Sequence, residues 1–259
     1  MKILEIEFRE KTIMITGASG HVGTALAEAY AKSGAAGLVL TDVAGKEKDL
    51  EYLAAGLQSR FGKVGISTYY ADLTDTDEII SMTNHIKKDK QGIDVLVNNA
   101  GINVLQKASE VTEEIWDHTL DLNLKGAFFL TQRIAADSLI DRQGSIVFIA
   151  SQHGVVGNIM RAAYCASKSA VCGLVRALAA DWSAFDVRVN AVSPTYIIND
   201  DNETLLMSAE FKRKFLRDIP LRRYARPEDV ADAVLFVSSH RASMITGQNI
   251  LVDGGYTAL

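Results

Sequence analysis

The feature that most constrains this chain is a glycine-punctuated turn near its start. Residues 11–16, KTIMIT, are a short run rich in Ile and Thr and read as a buried strand. GASGHVG follows, and the next stretch places Val22, Leu26, Ala29 and Tyr30 at a helical period. Strand, glycine turn and helix, in that order, is the setting a dinucleotide-binding turn needs. Gly17, Gly20 and Gly23 let the backbone turn tightly, approach a pyrophosphate and pack helix against strand. Ser19, His21 and Val22 belong to the same turn, with His21 expected beside the phosphates rather than as a catalyst. The helix N-terminus then offers free N–H groups and a positive dipole end. A second strand, GLVLTD, ends on Asp42, nineteen residues beyond Gly23. A carboxylate there accepts hydrogen bonds from an adenine-ribose diol. A glycine-rich turn without a ligand is the plainer alternative, and Asp42 argues against it.

The rest of the chain alternates. Helices are predicted over 46–60, 75–90, 113–140, 162–184, 203–217 and 227–238. Further strands are predicted over 64–70, 93–97, 144–150, 187–192 and 248–252. Such alternation gives a single doubly wound parallel sheet, α/β and of Rossmann type, with about seven strands and helices on both faces. One domain over 1–259 is expected. Ligands bind beyond the carboxyl ends of the strands. The glycine turn, Asp42, NNAG at 98–101, Ser151 and Pro194 all follow predicted strands and so meet on one rim. The charges of 194–218, with its NDDNE run, suit a flap over that rim.

Composition narrows the function classes. A formal charge of −5, spread over both signs, argues against a general nucleic-acid binder. No stretch approaches ~18 uninterrupted apolar residues, so no membrane span is expected. MKILEIEFREK carries Glu5 and Glu7 where a signal peptide needs an apolar block, which makes the cytoplasm the expected compartment. Cys165 and Cys172 lie about 10 Å apart along one predicted helix, beyond the reach of a disulfide. The five His residues form no close pair with metal-ligand spacing, so no metal site is expected.

Chemistry enters with AAYCASKSAV, where Tyr164 precedes Lys168 by four residues and Ser151 stands thirteen before the Tyr. Residues four apart on a helix share a face. A neighbouring cation favours the phenolate, so Lys168 is expected to lower the Tyr164 pKa towards neutrality and let it trade a proton with an alcohol. Alone, Tyr-x-x-x-Lys is a common solvated helix face. The nucleotide-type turn in the same chain gives it weight.

Together these motifs resemble the short-chain dehydrogenase/reductase family, in its compact one-domain branch, over essentially the whole sequence. TGASGHVG resembles that family's cofactor turn, Asp72-Leu73 its adenine-contacting pair, and NNAG its loop behind the central strand, with Asn99, Ala100 and Gly101 at the cofactor. Asn123, Ser151, Tyr164 and Lys168 match its four catalytic positions. RVNAVSP (188–194) and TGQNILVDGGY (246–256) match the two stretches that follow. The resemblance implies NAD or NADP as cofactor and hydride transfer at a secondary alcohol or ketone. It makes Tyr164 the acid/base, Lys168 its partner and a ribose ligand, Ser151 a donor to the substrate oxygen, and Asn123 the holder of a water on a proton path. It also implies a homotetramer, with a dimer as second choice. Val171, Val175, Leu178 and Trp182 run along the Tyr helix with part of that stripe packed on the sheet, and the apolar DGGYTAL tail is expected to be buried against a partner.

Two departures stand out. The glycine spacing is TGxxGxxG, with His21 where the compact branch has its middle glycine. Thr195 and Asn199 replace the usual Gly and Thr after Pro194. Pro194, Thr195 and Ile197 are still expected at the nicotinamide end. Asp42, with no Arg beside it, favours NAD over NADP, although Lys46 and Lys48 lie close in sequence.

Around the reacting centre, Ser151, His153, Arg161, Asn103 and Tyr196 are the candidate substrate residues. Gln152 and Asn158 add to a polar stretch between Ser151 and the Tyr. This suits a small hydroxylated or acidic substrate, a sugar acid or polyol, and leaves a long acyl chain poorly matched. Arg161 pairing with a carboxylate and Arg161 in water weigh about equally. The first alternative is a 3-oxoacyl-carrier-protein reductase, although Phe185 stands near the point where those enzymes carry a docking cation. The second is a cofactor-binding regulatory protein without turnover, a reading the presence of both Tyr164 and Lys168 opposes.

Overall fold

A computed structural model describes residues 8–89, 92–199, 202–208, 211–212 and 215–258. Glu5, Glu7, Asp200, Asp201 and Leu259, which entered the readings above, lie outside the described residues.

β1 (Thr12–Thr16) feeds α1 (His21–Lys32), and β2 (Gly37–Asp42) feeds α2 (Glu47–Phe61). β3 (Gly65–Tyr70), α3 (Thr76–Lys88) and β4 (Val95–Asn98) complete the first half. A continuous helical run over 113–142, here α4, precedes β5 (Ser145–Ile149), and α5 (Ala162–Trp182) precedes β6 (Arg188–Pro194). α6 (Pro227–Ser238) and β7 (Asn249–Val252) end the fold. Among the described residues the sheet is seven-stranded, in the order β3-β2-β1-β4-β5-β6-β7, with every pairing parallel. The chain reverses direction across the sheet between β1 and β4, and this switch opens the crevice that parallel α/β sheets use for ligands.

The strands are continuous apolar runs because both faces are covered. Ile13, Ile15, Leu38 and Leu40 pack against Leu26 and Tyr30 of α1, Leu50 of α2 and Val230 and Val234 of α6. Met14, Val39, Leu96 and Ile146 face Ile79 of α3, Leu130 of α4 and Val171, Val175 and Leu178 of α5. In that second layer Val171, Val175 and Leu178, the part of the α5 stripe expected on the sheet, are buried, and Trp182 is half-buried against the same core. Arg188 fixes the end of α6 by donating to the carbonyls of Val237 (2.6 Å), Ser238 (2.8 Å) and Ser239 (3.0 Å), the groups a helix leaves unpaired.

The predicted helix over 203–217 does not form as one element. Among the described residues it is interrupted at 207–208: Glu203–Leu206 and 211–212 are helical and Leu216–Asp218 is a 3-10 turn, while 209–210 and 213–214 lie outside the described residues. The segment buries Leu206, Ile219 and Tyr224 in a small cluster that takes in Tyr196 and Tyr256. An uninterrupted helix lays its apolar residues along one line, whereas this cluster gathers them from several directions. No helix among the described residues is long and apolar enough to cross a membrane.

Candidate active site

The glycine turn forms as a strand-to-helix bend whose first and third glycines have distinct steric reasons. Gly17 takes φ +60°, and a Cβ there would stand 3.0 Å from the Ala100 Cα. A Cβ on Gly23 would lie 2.3 Å from the Gly17 carbonyl oxygen and 2.7 Å from the Ala18 Cα, so α1 leaves β1 only if residue 23 has no side chain. Gly20 is different. A Cβ there would meet the chain's own atoms no closer than 3.4 Å, so the fold itself leaves room that a phosphate can use. No side chain caps α1 and no acidic residue occupies its first turn, which leaves its N–H groups open to an anion.

These residues open onto a groove of about 750 Å³ that Ser19, His21, Val22, Asp42, Asp72 and Leu73 also line. The Asp42 Oδ2 accepts from the Ser19 N–H (3.0 Å) and the Ser19 hydroxyl (2.7 Å), and its Oδ1 accepts from the Val43 N–H (2.9 Å). The carboxylate is thus aimed before any ribose arrives. Lys46, at the groove wall, pairs with Asp49 at 2.9 Å, and Lys48 is exposed away from the groove. Neither supplies the uncommitted cation that a 2′-phosphate needs.

Asn99 stitches the crevice at the switch point. Its side-chain amide donates to the Thr16 and Gly17 carbonyls, both at 2.9 Å, while the Thr16 hydroxyl accepts from the Asn99 and Ala100 N–H groups at 3.0 Å. Gly101 then passes so close to α4 that a Cβ would sit 2.9 Å from the Asn123 Oδ1. Asn123 lies in a π-helical segment, Asp121–Gly126, within α4. Its Oδ1 accepts from the Ile102 N–H (2.8 Å), and its Nδ2 donates to the Ile102 carbonyl (2.9 Å) and the Ser167 hydroxyl (3.1 Å). The side chain is therefore committed to clasping the loop after NNAG. Both its amide protons have protein acceptors, so a water expected on the proton path would have to be held by an oxygen of this residue.

Ser151, Tyr164 and Lys168 do converge, with Asn103, His153, Arg161, Pro194, Thr195, Tyr196 and Ile197, on a second cavity of about 310 Å³. It meets the groove at Val22, Asn99, Gly101 and Ile102. Ser151, just past β5, hydrogen-bonds the Tyr164 phenol and accepts from the His153 N–H at 3.1 Å. Lys168 is 5% exposed and donates to the Ile149 carbonyl at 2.8 Å. Burial pushes its pKa down to about 8. Burial likewise pushes the Tyr164 phenol above its ordinary value, opposed by the Ser151 hydrogen bond and the Arg161 charge. Lys168 holds its ammonium 5.8 Å from the Tyr164 ring centroid while it donates to the Ile149 carbonyl.

The outer wall is aromatic and polar. Asn158 donates to the Tyr196 hydroxyl at 2.8 Å and approaches the His153 Nε2 at 3.5 Å, so it braces the wall. His153 lies edge-on to Tyr164, Tyr196 and Tyr256, with centroids 6.4, 5.9 and 6.4 Å away. Burial and the Arg161 charge push its pKa down to about 4, so it stays neutral near pH 7. Gly23 and Asn123 are the two proposed site residues that line neither cavity; both shape the walls from behind. Sequence reasoning missed His118 and Leu122 in the groove and Tyr256 at the outer wall. Tyr256 also lies edge-on to Tyr196, with ring centroids 6.3 Å apart. No local signal marks it, since 92 residues separate it from Tyr164.

Comparison with known proteins bears on this geometry. A family model described as enoyl-(acyl carrier protein) reductase matches residues 17–257. An NAD-dependent glycerol dehydrogenase of Listeria innocua is 36% identical over 98% of this chain and 96% of its own length. A 3-oxoacyl-[acyl-carrier-protein] reductase of Staphylococcus aureus is 34% identical over 95% of this chain and 97% of its own. Among solved structures, a putative NAD(P)-dependent gluconate 5-dehydrogenase from Beutenbergia cavernae, with NADP bound at low occupancy, superposes with a TM-score of 0.89. It is 33% identical, and the match covers 98% of this chain and 99% of that one.

Proposed function

The chain belongs to the short-chain dehydrogenase/reductase family, and on that premise we propose that it is an NAD-dependent oxidoreductase. It interconverts a secondary alcohol and the ketone of a small polar substrate, a polyol or a sugar acid. The observation that carries this is the convergence of Ser151, Tyr164 and Lys168 in a cavity that runs on into a nucleotide-sized groove.

The groove fits a dinucleotide. The open α1 N-terminus and the room at Gly20 suit the pyrophosphate, Asp42 the adenine ribose, and Asp72 and Leu73 the adenine. When bound, NAD supplies the hydride chemistry. The chain's residues position and protonate. Tyr164 takes the hydroxyl proton of the alcohol, or returns it to the ketone. Ser151 holds the substrate oxygen by hydrogen bonding. Lys168 adds positive charge below the phenol and reaches for the nicotinamide ribose, and Asn123 keeps the Gly101–Ile102 loop in register.

The test is a turnover screen with NAD over polyols, aldonic acids and 3-oxoacyl thioesters, run beside Tyr164→Phe. The variant should lose about 10²–10⁴-fold in kcat while still quenching on NADH binding. Near-normal turnover by Tyr164→Phe would refute the mechanism. The S. aureus relative favours a second reading, 3-oxoacyl-carrier-protein reductase. Preference for the thioester over every polyol and acid would select it.

Wider inferences accompany this reading. The chain acts as one domain over 1–259, with 194–218 as a flap over the site. It assembles as a homotetramer through the uncovered edge of β7, where Leu251 is 40% exposed, and a monomeric mass by light scattering would exclude that. A cytoplasmic location suits the free thiols Cys165 and Cys172, and fractionation tests it.

A further inference from the structure

The reaction cavity has a charge imbalance. Its lining contains two cationic side chains, Arg161 and Lys168, and no Asp or Glu. Lys168 has a carbonyl partner and is buried below Tyr164. Arg161 has almost nothing. Its guanidinium makes one long hydrogen bond, 3.4 Å from Nη1 to the Ile159 carbonyl. Its Nε is buried without a partner, and no carboxylate pairs with it among the described residues.

The residue is nonetheless well held. Its backbone bridges to Gln106 in a parallel ladder step, reinforced by the Gln106 N–H donating to the Met160 carbonyl at 3.0 Å. Its guanidinium stands 5.9 Å from the centre of the Tyr196 ring, and Asn158 fixes that ring through its hydroxyl. A guanidinium is always charged and presents a planar fork of donors matched to a carboxylate. Beside it, Gln152 is 1% exposed and lines the same cavity with both amide atoms unpaired. A buried amide without partners costs free energy unless a ligand satisfies it.

We propose that Arg161, supported by Gln152, is a carboxylate-binding subsite, and that the substrate is a short hydroxy acid rather than a neutral polyol. This rests on the oxidoreductase reading and narrows it. A neutral polyol leaves the guanidinium uncompensated in a cavity with no acidic residue. A carboxylate pairs with it and also offsets Lys168. Size points the same way. Arg161 lies three residues before Tyr164, and about 310 Å³ must hold the nicotinamide end as well as the substrate. The carboxylate therefore sits within a few carbons of the reacting carbinol.

The experiment uses pairs matched in carbon number: glycerate with glycerol, threonate with threitol, gluconate with sorbitol. Each is titrated by calorimetry into the full chain saturated with NADH, where an alcohol binds but cannot be oxidised. In at least one pair the acid should bind at least about tenfold tighter than the polyol. Arg161→Ala should weaken that acid about 10- to 100-fold, the range for a hydrogen bond to a charged partner, while moving the polyol less than about twofold. Arg161→Lys should recover part of the loss. Acid and polyol binding equally in every pair would overturn the proposal, as would equal losses for both in Arg161→Ala. Failure of the underlying reading looks different. If no alcohol is turned over with NAD, yet Arg161-dependent acid binding persists, the carboxylate subsite stands and the oxidoreductase reading falls. Turnover of polyols with no preference for acids does the reverse.

Discussion

Replacing Asn123 by Ala tests whether the π-helical kink in α4 holds the site from behind. The wild-type side chain is 2% exposed and makes three hydrogen bonds, two to Ile102 and one to Ser167. A neutral intramolecular hydrogen bond contributes about 0.5–1.5 kcal/mol net, so the three together are worth roughly 2–4 kcal/mol. Ile102 lines both cavities, so water reaches its freed N–H and C=O and keeps the loss within that range. In a domain of this size each kcal/mol shifts Tm by about 2–4 °C, so Asn123→Ala should melt roughly 5–15 °C lower in scanning calorimetry. Asn123→Asp is the companion variant. It keeps the shape and the acceptor but cannot donate to the Ile102 carbonyl or to Ser167, and it too should melt early. Weaker NADH binding should accompany both, since the loop they release carries Gly101. A Tm within about 2 °C of wild type for Asn123→Ala, with kcat alone reduced, would refute the clasp and return Asn123 to a purely proton-conducting role.

Two further outcomes follow from burial and charge. Lys168 has its pKa pushed from 10.5 down to about 8 by burial, so folding below pH 8 has to bury a cation. Lys168→Met should therefore raise Tm by a few degrees at pH 7 while abolishing turnover. That gain is full below pH 8 and fades as pH climbs from about 8 towards 10.5, where the folded protein has shed a proton that the unfolded chain still holds. A lower Tm than wild type at pH 7 would overturn this account. Asp42→Ala removes both the ribose acceptor and the anchor of Ser19, and should shift the ratio of kcat/KM for NAD over NADP by about tenfold or more towards NADP. An unchanged ratio in steady-state assays would mean that Asp42 does not set cofactor choice.

What the sequence made legible is what local pattern controls. The β1 turn, the strand–helix alternation and the one-face spacing of Tyr164 and Lys168 depend on neighbours a few residues away, and all take their expected places. The interruption of 203–217 was not legible, because Leu206, Phe211 and Leu216 pack into a cluster with Ile219, Tyr224, Tyr196 and Tyr256 from other parts of the chain. Tyr256 and the Asn123–Ile102 clasp were hidden for the same reason, being contacts between distant segments. The direction of the Tyr164 shift was hidden as well. Spacing shows that a cation shares the face of the phenol, but not that burial outweighs it or that Ile149 takes the ammonium.

The two cavities draw on different lengths of chain. Everything that lines the nucleotide groove falls between Gly17 and Leu122, whereas the reaction cavity adds Ile149 through Ile197. Only Val22, Asn99, Gly101 and Ile102 serve both. Gripping the adenine end of the dinucleotide and choosing what it reacts with therefore fall to different lengths of one polypeptide, while Lys168, Pro194, Thr195 and Ile197 tie the nicotinamide end to the second. Outer residues of the second half can change towards a different acid, polyol or thioester while the first half goes on gripping the same adenine end. The outer wall, where Arg161, Asn158 and Tyr256 meet, is the place where such drift leaves its mark.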